Sequence, residues 1–142
     1  MGDVPLRKHL ELYSHVDIAL DTFPYSGTTT TCEALWMGVP VVTIEGAMHA
    51  GRVSTSILTR VGLAGLVAKS TAGYIERAVA LSADLDRLAQ IRVSLRPRMA
   101  TSPLLDAKGF TRGLEAEYRK MWGRWCASQC RADRGLIANC SQ

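Results

Sequence analysis

Residues 16–44 read VDIALDTFPYSGTTTTCEALWMGVPVVTI and contain a strand–helix–strand pattern. The β-rich run 16–21 predicts a strand, and the Pro and Gly residues within 23–27 predict a turn. Helical spacing predicts a helix from about residue 30 to residue 37, which Gly38 ends. The apolar run 40–44 predicts a second strand that is buried on both faces, as strands of a parallel sheet are.

The same alternation continues on both sides of this stretch. Helices are predicted over 5–15 and 50–61, and a short strand is predicted over 65–68. A further helix begins after a cap at Ser70 or Thr71, and another covers 84–95, where Pro97 interrupts it. The last predicted helix covers 107–126 and is capped by Asp106. Strands that alternate with helices predict an α/β fold with a parallel sheet. Three strands are few for a doubly wound sheet, so we expect the start of the domain to be missing.

Domain organisation follows from where the periodicity stops. Residues 3–126 carry the alternating pattern, and residues 127–142 lose hydrophobic periodicity. We therefore predict one folded lobe over 3–126 and a disordered tail over 127–142.

Composition excludes several classes of protein. Of the 142 residues, 47% are hydrophobic and 21% are charged, which is typical of a globular domain. The chain has no run of about 18 apolar residues and no secretory signal, which predicts a cytoplasmic protein without a membrane partner. If the source is eukaryotic, the protein could also be nuclear. The basic residues behind the net charge of +4 are interleaved with apolar helix positions, which disfavours nucleic acid as a partner. The four cysteines form no CxxC pair, so we expect reduced thiols rather than zinc ligands or disulfides.

The turn between the first strand and the next helix holds the candidate binding residues. Ligands of open parallel sheets bind at the carboxyl ends of the strands, and a helix N-terminus there attracts phosphate. Gly27 permits a close backbone approach, and Thr28, Thr29 and Thr30 add hydroxyl donors. The negative charge of Glu33 opposes phosphate binding, but its carboxylate can accept hydrogen bonds from ribose hydroxyls. These residues could therefore form a site for a nucleoside diphosphate.

A purely structural interpretation of these residues is open. Thr30-x-x-Glu33 also matches a capping box, in which the two side chains bond to backbone N–H groups and no ligand is needed. His49 and Arg52, ahead of the following helix, are weaker candidates for an anion contact, and an exposed helix start explains them equally well.

Residues 17–40 closely resemble the C-terminal catalytic region of O-GlcNAc transferases and SPINDLY proteins. Further matches follow in order at HAGRV (49–53), LTRVGL (58–63), SPL (102–104) and EYRKMW (117–122). The resemblance covers about residues 5–126. It implies a Rossmann-like C-terminal lobe of a GT-B glycosyltransferase, shortened on its N-terminal side.

This resemblance implies a role for each candidate residue. Family members transfer a sugar from a nucleotide diphosphate to Ser or Thr hydroxyls of proteins. By position, residues 28–30 fall where the family holds the diphosphate, and Glu33 falls where an acidic residue meets the ribose. His9 matches a histidine near the nucleobase, although alone it would read as an ordinary surface histidine. As the donor is held without a metal in such enzymes, we expect no metal and no further cofactor.

The donor sugar is left open by two departures from the O-GlcNAc transferase pattern. Those enzymes tend to have His where this chain has Thr28, and Asp where it has Glu33. The form GTTTTCE is more similar to SPINDLY, whose plant members use GDP-fucose. The resemblance therefore implies UDP-GlcNAc as the donor, with GDP-fucose as the alternative.

The resemblance also shows what the 142 residues do not contain. The acceptor-side lobe, the tetratricopeptide repeats, the catalytic base and the donor-binding lysine of the family lie outside them, so we expect this chain alone to be inactive. An alternative is a non-catalytic interaction module that associates through its last helix. Tyr118, Met121, Trp122 and Trp125 would form the apolar face of that helix. For Met121 and Trp122, packing in the core of the lobe is the favoured prediction.

Overall fold

The computed structural model describes residues 5–139, with side chains described up to residue 129. The predicted domain start at residue 3 and the tail residues 140–142 lie outside the described part. The chain divides into two compact units, one ending at Leu105 and one starting at Asp106. Each unit is described by itself.

The first unit alternates helices and strands as predicted. Its elements are α1 (Leu6–Leu12), β1 (Ala19–Leu20), α2 (Thr29–Trp36), β2 (Val41–Ile44), α3 (Val53–Arg60), β3 (Val67–Ala68), α4 (Thr71–Ala83) and α5 (Leu85–Ala100). Short 3-10 turns follow α1 and precede α3 and β3. The strands are shorter than the sequence pattern indicates, and the helices begin and end close to the predicted positions, apart from the end of α5.

All three strands of the described chain run parallel, in the order β1-β2-β3. Ala19 pairs with Val41 and Thr43 pairs with Val67, which makes β2 the central strand. The predicted α/β fold with a parallel sheet is confirmed. Because the strands are parallel, the loops that follow them emerge at one edge of the sheet, where a ligand site is expected.

The core forms around β2. Val42 and Thr43 are fully buried, and each surrounding helix contributes a leucine that is at most 1% exposed. These leucines are Leu35 from α2, Leu58 from α3, Leu81 from α4 and Leu95 from α5. Burial of these side chains removes apolar area from water and fixes the helices against the sheet.

Predicted helix ends are confirmed at two positions. Ser70 caps α4 by accepting a hydrogen bond from the Gly73 N–H at 3.2 Å. Gly38 follows α2 with φ of +81°, a left-handed conformation that suits glycine because it has no Cβ.

The prediction that Pro97 interrupts α5 is wrong, since the helix continues to Ala100. Pro97 lacks the N–H that would bond the Val93 carbonyl one turn earlier. Val93 is 81% exposed and Pro97 lies on the same exposed side of the helix, so water can solvate that carbonyl. The helix then ends within one turn of the proline.

Pro97→Ala should therefore stabilise the first unit by about 1–3 kcal/mol, because alanine restores the missing helical hydrogen bond and has a higher helix propensity. Urea unfolding followed by circular dichroism measures this change. Unchanged or lower stability would contradict the explanation given for the continuous helix.

The second unit consists of α6 (Ala107–Asn139). As predicted, Asp106 caps it, with Oδ1 accepting from the Gly109 N–H at 2.8 Å. The helix continues past the end predicted near Cys126, because no proline follows and most of the later residues tolerate a helix without hydrophobic periodicity. The division into a lobe over 3–126 and a disordered tail over 127–142 stays a prediction.

The apolar face of α6 is exposed. Tyr118, Met121, Trp122 and Trp125 are each more than half exposed, and the two tryptophan rings stack with centroids 4.9 Å apart. Because α6 forms a unit of its own, packing of Met121 and Trp122 in the core of the lobe stays a prediction.

Candidate functional site

The threonine-rich start of α2 lies at the carboxyl edge of the sheet, after β1. Thr28 is the N-cap residue, and its side chain accepts no hydrogen bond from the first turn. Thr28, Thr29 and Thr30 are exposed, whereas Thr31 is buried. The first-turn N–H groups therefore keep the capacity to bind an anion, at the positive end of the helix dipole and beside three exposed hydroxyls.

The capping-box interpretation of Thr30 and Glu33 is wrong. The helix begins at Thr29, so Thr30 is already inside its first turn. The Glu33 carboxylate instead contacts His9 of α1, with 3.2 Å between Oε2 and Nε2. The structure thus brings together the two residues that the resemblance assigned to ribose and nucleobase. Their roles stay predictions.

Tyr13 connects this pair to the start of α2. Its hydroxyl donates to the Thr30 carbonyl at 3.5 Å, and its ring meets the His9 ring edge-on with centroids 5.5 Å apart. Burial, and then the negative charge of Glu33, raise the pKa of the Tyr13 phenol. The same two causes raise the pKa of the Cys32 thiol. Both groups therefore stay protonated near neutral pH.

Asp21 organises the loop between β1 and α2. Its Oδ1 accepts from the Gly27 N–H at 2.8 Å and from the Thr22 N–H at 3.1 Å. Its Oδ2 accepts from the Thr43 hydroxyl of β2 at 2.6 Å. The Asp21 carbonyl accepts from the Tyr74 hydroxyl of α4 at 2.9 Å. No role was predicted for Asp21, although an acidic residue between a strand and a Gly-containing turn is a recognisable turn signal.

A second set of polar contacts joins the β1–α2 loop and the start of α2 to the residues at the start of α3. Ser54, at the start of α3, is fully buried, and its hydroxyl donates to the Gly27 carbonyl at 2.9 Å. Since that proton is used, Thr31 is the donor in the 2.9 Å contact between the Thr31 and Ser54 hydroxyls. The buried Ser26 hydroxyl donates to the Ala50 carbonyl at 2.9 Å. These contacts were not predicted, because they join residues more than twenty positions apart.

Gly27 is required for close packing within this loop. A Cβ at this position would lie 2.5 Å from Thr31 Oγ1, 2.8 Å from Thr30 Oγ1 and 3.2 Å from Asp21 Oδ1. The predicted reason for the glycine was approach of a diphosphate. The structure shows an additional reason, which is space for the chain itself.

A cavity of about 160 Å³ opens beside these residues, lined among others by Tyr13, Asp21, Gly27 and Thr30. His49 and Arg52 line a separate cavity at the start of α3. Arg52 Nη2 lies 3.4 Å from Glu45 Oε1, so the Glu45 carboxylate already compensates part of the Arg52 charge. The two weaker anion candidates are therefore not part of the cavity at α2.

The described residues contain neither a candidate metal site nor a candidate membrane span. Among the described residues, no three His, Cys, Asp or Glu side chains lie close enough together to hold a metal ion. That the donor is bound without a metal stays a prediction. Over the same residues, every helix is too short or too polar to cross a bilayer.

Comparison with known proteins gives a consistent result. The sequence profile of Glycosyl transferase family 41 matches residues 4–114. A rice (Oryza sativa subsp. japonica) protein named probable UDP-N-acetylglucosamine–peptide N-acetylglucosaminyltransferase SPINDLY is 55% identical over 128 residues, which are 90% of this chain and 14% of the rice protein. The Arabidopsis thaliana protein of the same description named SEC is 34% identical over 129 residues, covering 89% of this chain and 13% of its own length.

A solved structure shows the same fold. A mutant O-GlcNAc transferase from Thermobaculum terrenum superposes with a TM-score of 0.79 at 47% sequence identity, covering 86% of this chain and 24% of that protein. This match confirms the predicted lobe of a GT-B glycosyltransferase. The chain spans a small part of its relatives, about 14% of the rice protein's length. Since the family profile matches most of the sequence and the described fold agrees with it, the chain belongs to glycosyl transferase family 41.

Proposed function

We propose that this chain is the donor-binding part of a protein O-glycosyltransferase that transfers GlcNAc from UDP-GlcNAc to Ser or Thr hydroxyls of proteins. The observation that carries the proposal is the start of α2, where no Thr28 side-chain bond caps the first turn and three exposed threonines surround it. Glu33 lies on the next turn of the same helix, and its carboxylate contacts His9 of α1. Relatives named as peptide N-acetylglucosaminyltransferases support this assignment.

Each part of the site has a distinct role in the proposed reaction. The N–H groups and hydroxyls of residues 28–30 bind the diphosphate and stabilise the negative charge that develops on it as the sugar departs. Glu33 accepts hydrogen bonds from the ribose hydroxyls, and His9 contacts the base. The general base, the donor lysine, the acceptor-side lobe and the tetratricopeptide repeats belong to other parts of the longer protein. The protein acts in the cytoplasm, and in the nucleus too if it is eukaryotic.

A SPINDLY-type transfer of fucose from GDP-fucose is the second candidate. It is favoured by the form GTTTTCE at residues 27–33, which is more similar to SPINDLY, whose plant members use GDP-fucose. The residues that differ from the O-GlcNAc transferase pattern, Thr28 and Glu33, lie in the proposed diphosphate and ribose positions. A non-catalytic interaction module is the third candidate, supported by the exposed aromatic face of α6.

A thermal-shift titration with UDP, GDP, UDP-GlcNAc and GDP-fucose distinguishes these candidates. A ligand at about 100 times its dissociation constant stabilises the folded chain by roughly 2.7 kcal/mol, which raises the midpoint by several degrees. Selective stabilisation by UDP and UDP-GlcNAc supports GlcNAc transfer, and selective stabilisation by the guanosine pair supports fucose transfer. If none of the four shifts the midpoint, the interaction module replaces the enzyme.

Two substitutions test the assigned contacts. Thr30→Ala and Glu33→Ala should each weaken nucleotide affinity by about tenfold, the effect of losing one or two hydrogen bonds to a charged group, without unfolding the chain. Isothermal titration calorimetry measures the affinity. Thr59→Ala and Glu76→Ala are matched controls, since both residues are exposed on other helices. Wild-type affinity in both site variants would contradict the assignment.

A further inference from the structure

We propose that Asp21 is a positioning residue for the diphosphate site, which keeps the β1–α2 loop folded so that the first turn of α2 stays open to an anion. The inference rests on the proposed function, because it concerns how the same site is held. Asp21 acts through Gly27 and does not itself contact the nucleotide.

The presence of a carboxylate here calls for a physical reason. Asp21 lines the same cavity as Thr30, and a negative charge beside a diphosphate opposes binding. A residue selected only to contact the diphosphate would carry no such charge. The hydrogen bonds of Asp21 supply the reason, because both carboxylate oxygens accept from the chain itself.

Asp21 satisfies the backbone N–H groups of the loop. Oδ1 accepts from Thr22 and Gly27, at the two ends of the turn, and so closes the turn on itself. These N–H groups precede the helix and are not those of its first turn. The loop is therefore stabilised without a cap on α2, and the first-turn donors remain for a ligand. By contrast, α5 is capped in the ordinary way, with Asp84 accepting from the Arg87 N–H at 3.0 Å.

Asp21 also ties the loop to two other elements. The Thr43 hydroxyl of β2, which is fully buried, donates to Oδ2 at 2.6 Å. The Tyr74 hydroxyl of α4 donates to the Asp21 carbonyl at 2.9 Å. Burial, and then the Asp21 charge, raise the pKa of the Tyr74 phenol, so it remains a donor at neutral pH. The position of Gly27, and with it the start of α2, is thus fixed relative to the sheet and α4.

The test compares the affinities of the chain for UDP and GDP with those for uridine and guanosine, measured by calorimetry. Asp21→Ala should weaken binding of the preferred diphosphate by about tenfold or more and leave the matching nucleoside unchanged, because only the diphosphate contacts the loop. Asp21→Asn should stay within about threefold of the wild type, since its amide oxygen still accepts from Gly27 and its NH2 group can donate to the Thr43 hydroxyl, which can turn to accept. Asp17→Ala is the matched control, at the other end of the same strand, where the carboxylate lies 3.5 Å from Arg92.

Tyr74→Phe provides a second, milder test in case Asp21→Ala does not fold. It keeps the ring that meets Phe23 and removes only the hydroxyl that donates to Asp21. We expect a loss of about threefold in diphosphate affinity, again with the nucleoside unchanged.

Three results would overturn the inference while leaving the proposed function in place. The first is a ratio of diphosphate affinity to nucleoside affinity in Asp21→Ala that equals the wild-type ratio. The second, which applies where Asp21→Ala does not fold, is the same unchanged ratio in Tyr74→Phe. The third is a diphosphate affinity of Asp21→Asn as low as that of Asp21→Ala. If the unchanged chain binds neither UDP nor GDP, the proposed function fails and this inference fails with it.

Discussion

Gly27→Ala should remove most of the nucleotide affinity and also destabilise the first unit. The added Cβ would lie 2.5 Å from Thr31 Oγ1, and Thr31 is only 3% exposed and bonded to Ser54, so it cannot rotate away. The loop must shift instead, at a cost of about 1–3 kcal/mol. Because Gly27 precedes the first turn of α2, the same shift displaces the groups proposed to bind the diphosphate. We expect nucleotide affinity to fall by more than about tenfold.

Gly65→Ala is the matched control for this substitution. A Cβ at Gly65 has no neighbour within 4 Å, and the residue is exposed. Urea unfolding and calorimetry on both variants separate the effect of the steric clash at Gly27 from the general effect of replacing a glycine by alanine. Equal stability and equal affinity in the two variants would show that the close packing around Gly27 has no consequence.

Leu58→Ala should have the largest effect on stability. Leu58 of α3 is fully buried in the core around β2, and its truncation removes apolar contacts and leaves a cavity. Such substitutions cost about 3–5 kcal/mol. Because a domain of this size is stable by only about 5–15 kcal/mol, a large fraction of the folding free energy is lost.

Leu85→Ala makes the same chemical change at an exposed position, since Leu85 is 71% exposed at the start of α5. Its expected cost is below about 0.5 kcal/mol. Urea unfolding of both variants gives the difference. Similar costs for the two leucines would contradict the placement of the core around β2.

Much of the fold follows from local sequence signals. The apolar run at 40–44 marks the central strand, and Gly38 and Ser70 mark helix ends, because these depend on hydrophobic period and on caps made by neighbouring residues. Pro97 shows the limit of such signals. Whether a proline ends a helix depends on which side of the helix it lies, and that is set by packing against the rest of the unit.

The candidate site was predictable only in part, for a similar reason. The threonines and Gly27 stand out locally, because a glycine turn between a strand and a helix is visible in one stretch of sequence. The partner of Glu33 is not visible there, because His9 lies 24 positions away. The local sequence offers a capping box as the partner of Glu33 instead. The support from Asp21, Ser54 and Tyr74 depends on contacts between separate elements, which no periodicity encodes.

Backbone amide NMR spectra of the isotope-labelled chain, titrated with UDP and with GDP, test most directly whether the start of α2 is a nucleoside diphosphate site. We predict that one of the two nucleotides shifts the amide signals of residues 27–31 most strongly and also shifts those of His9 and Glu33, while signals from α6 stay in place. Unchanged spectra with both nucleotides, or shifts concentrated in α6, would contradict the assignment of this site.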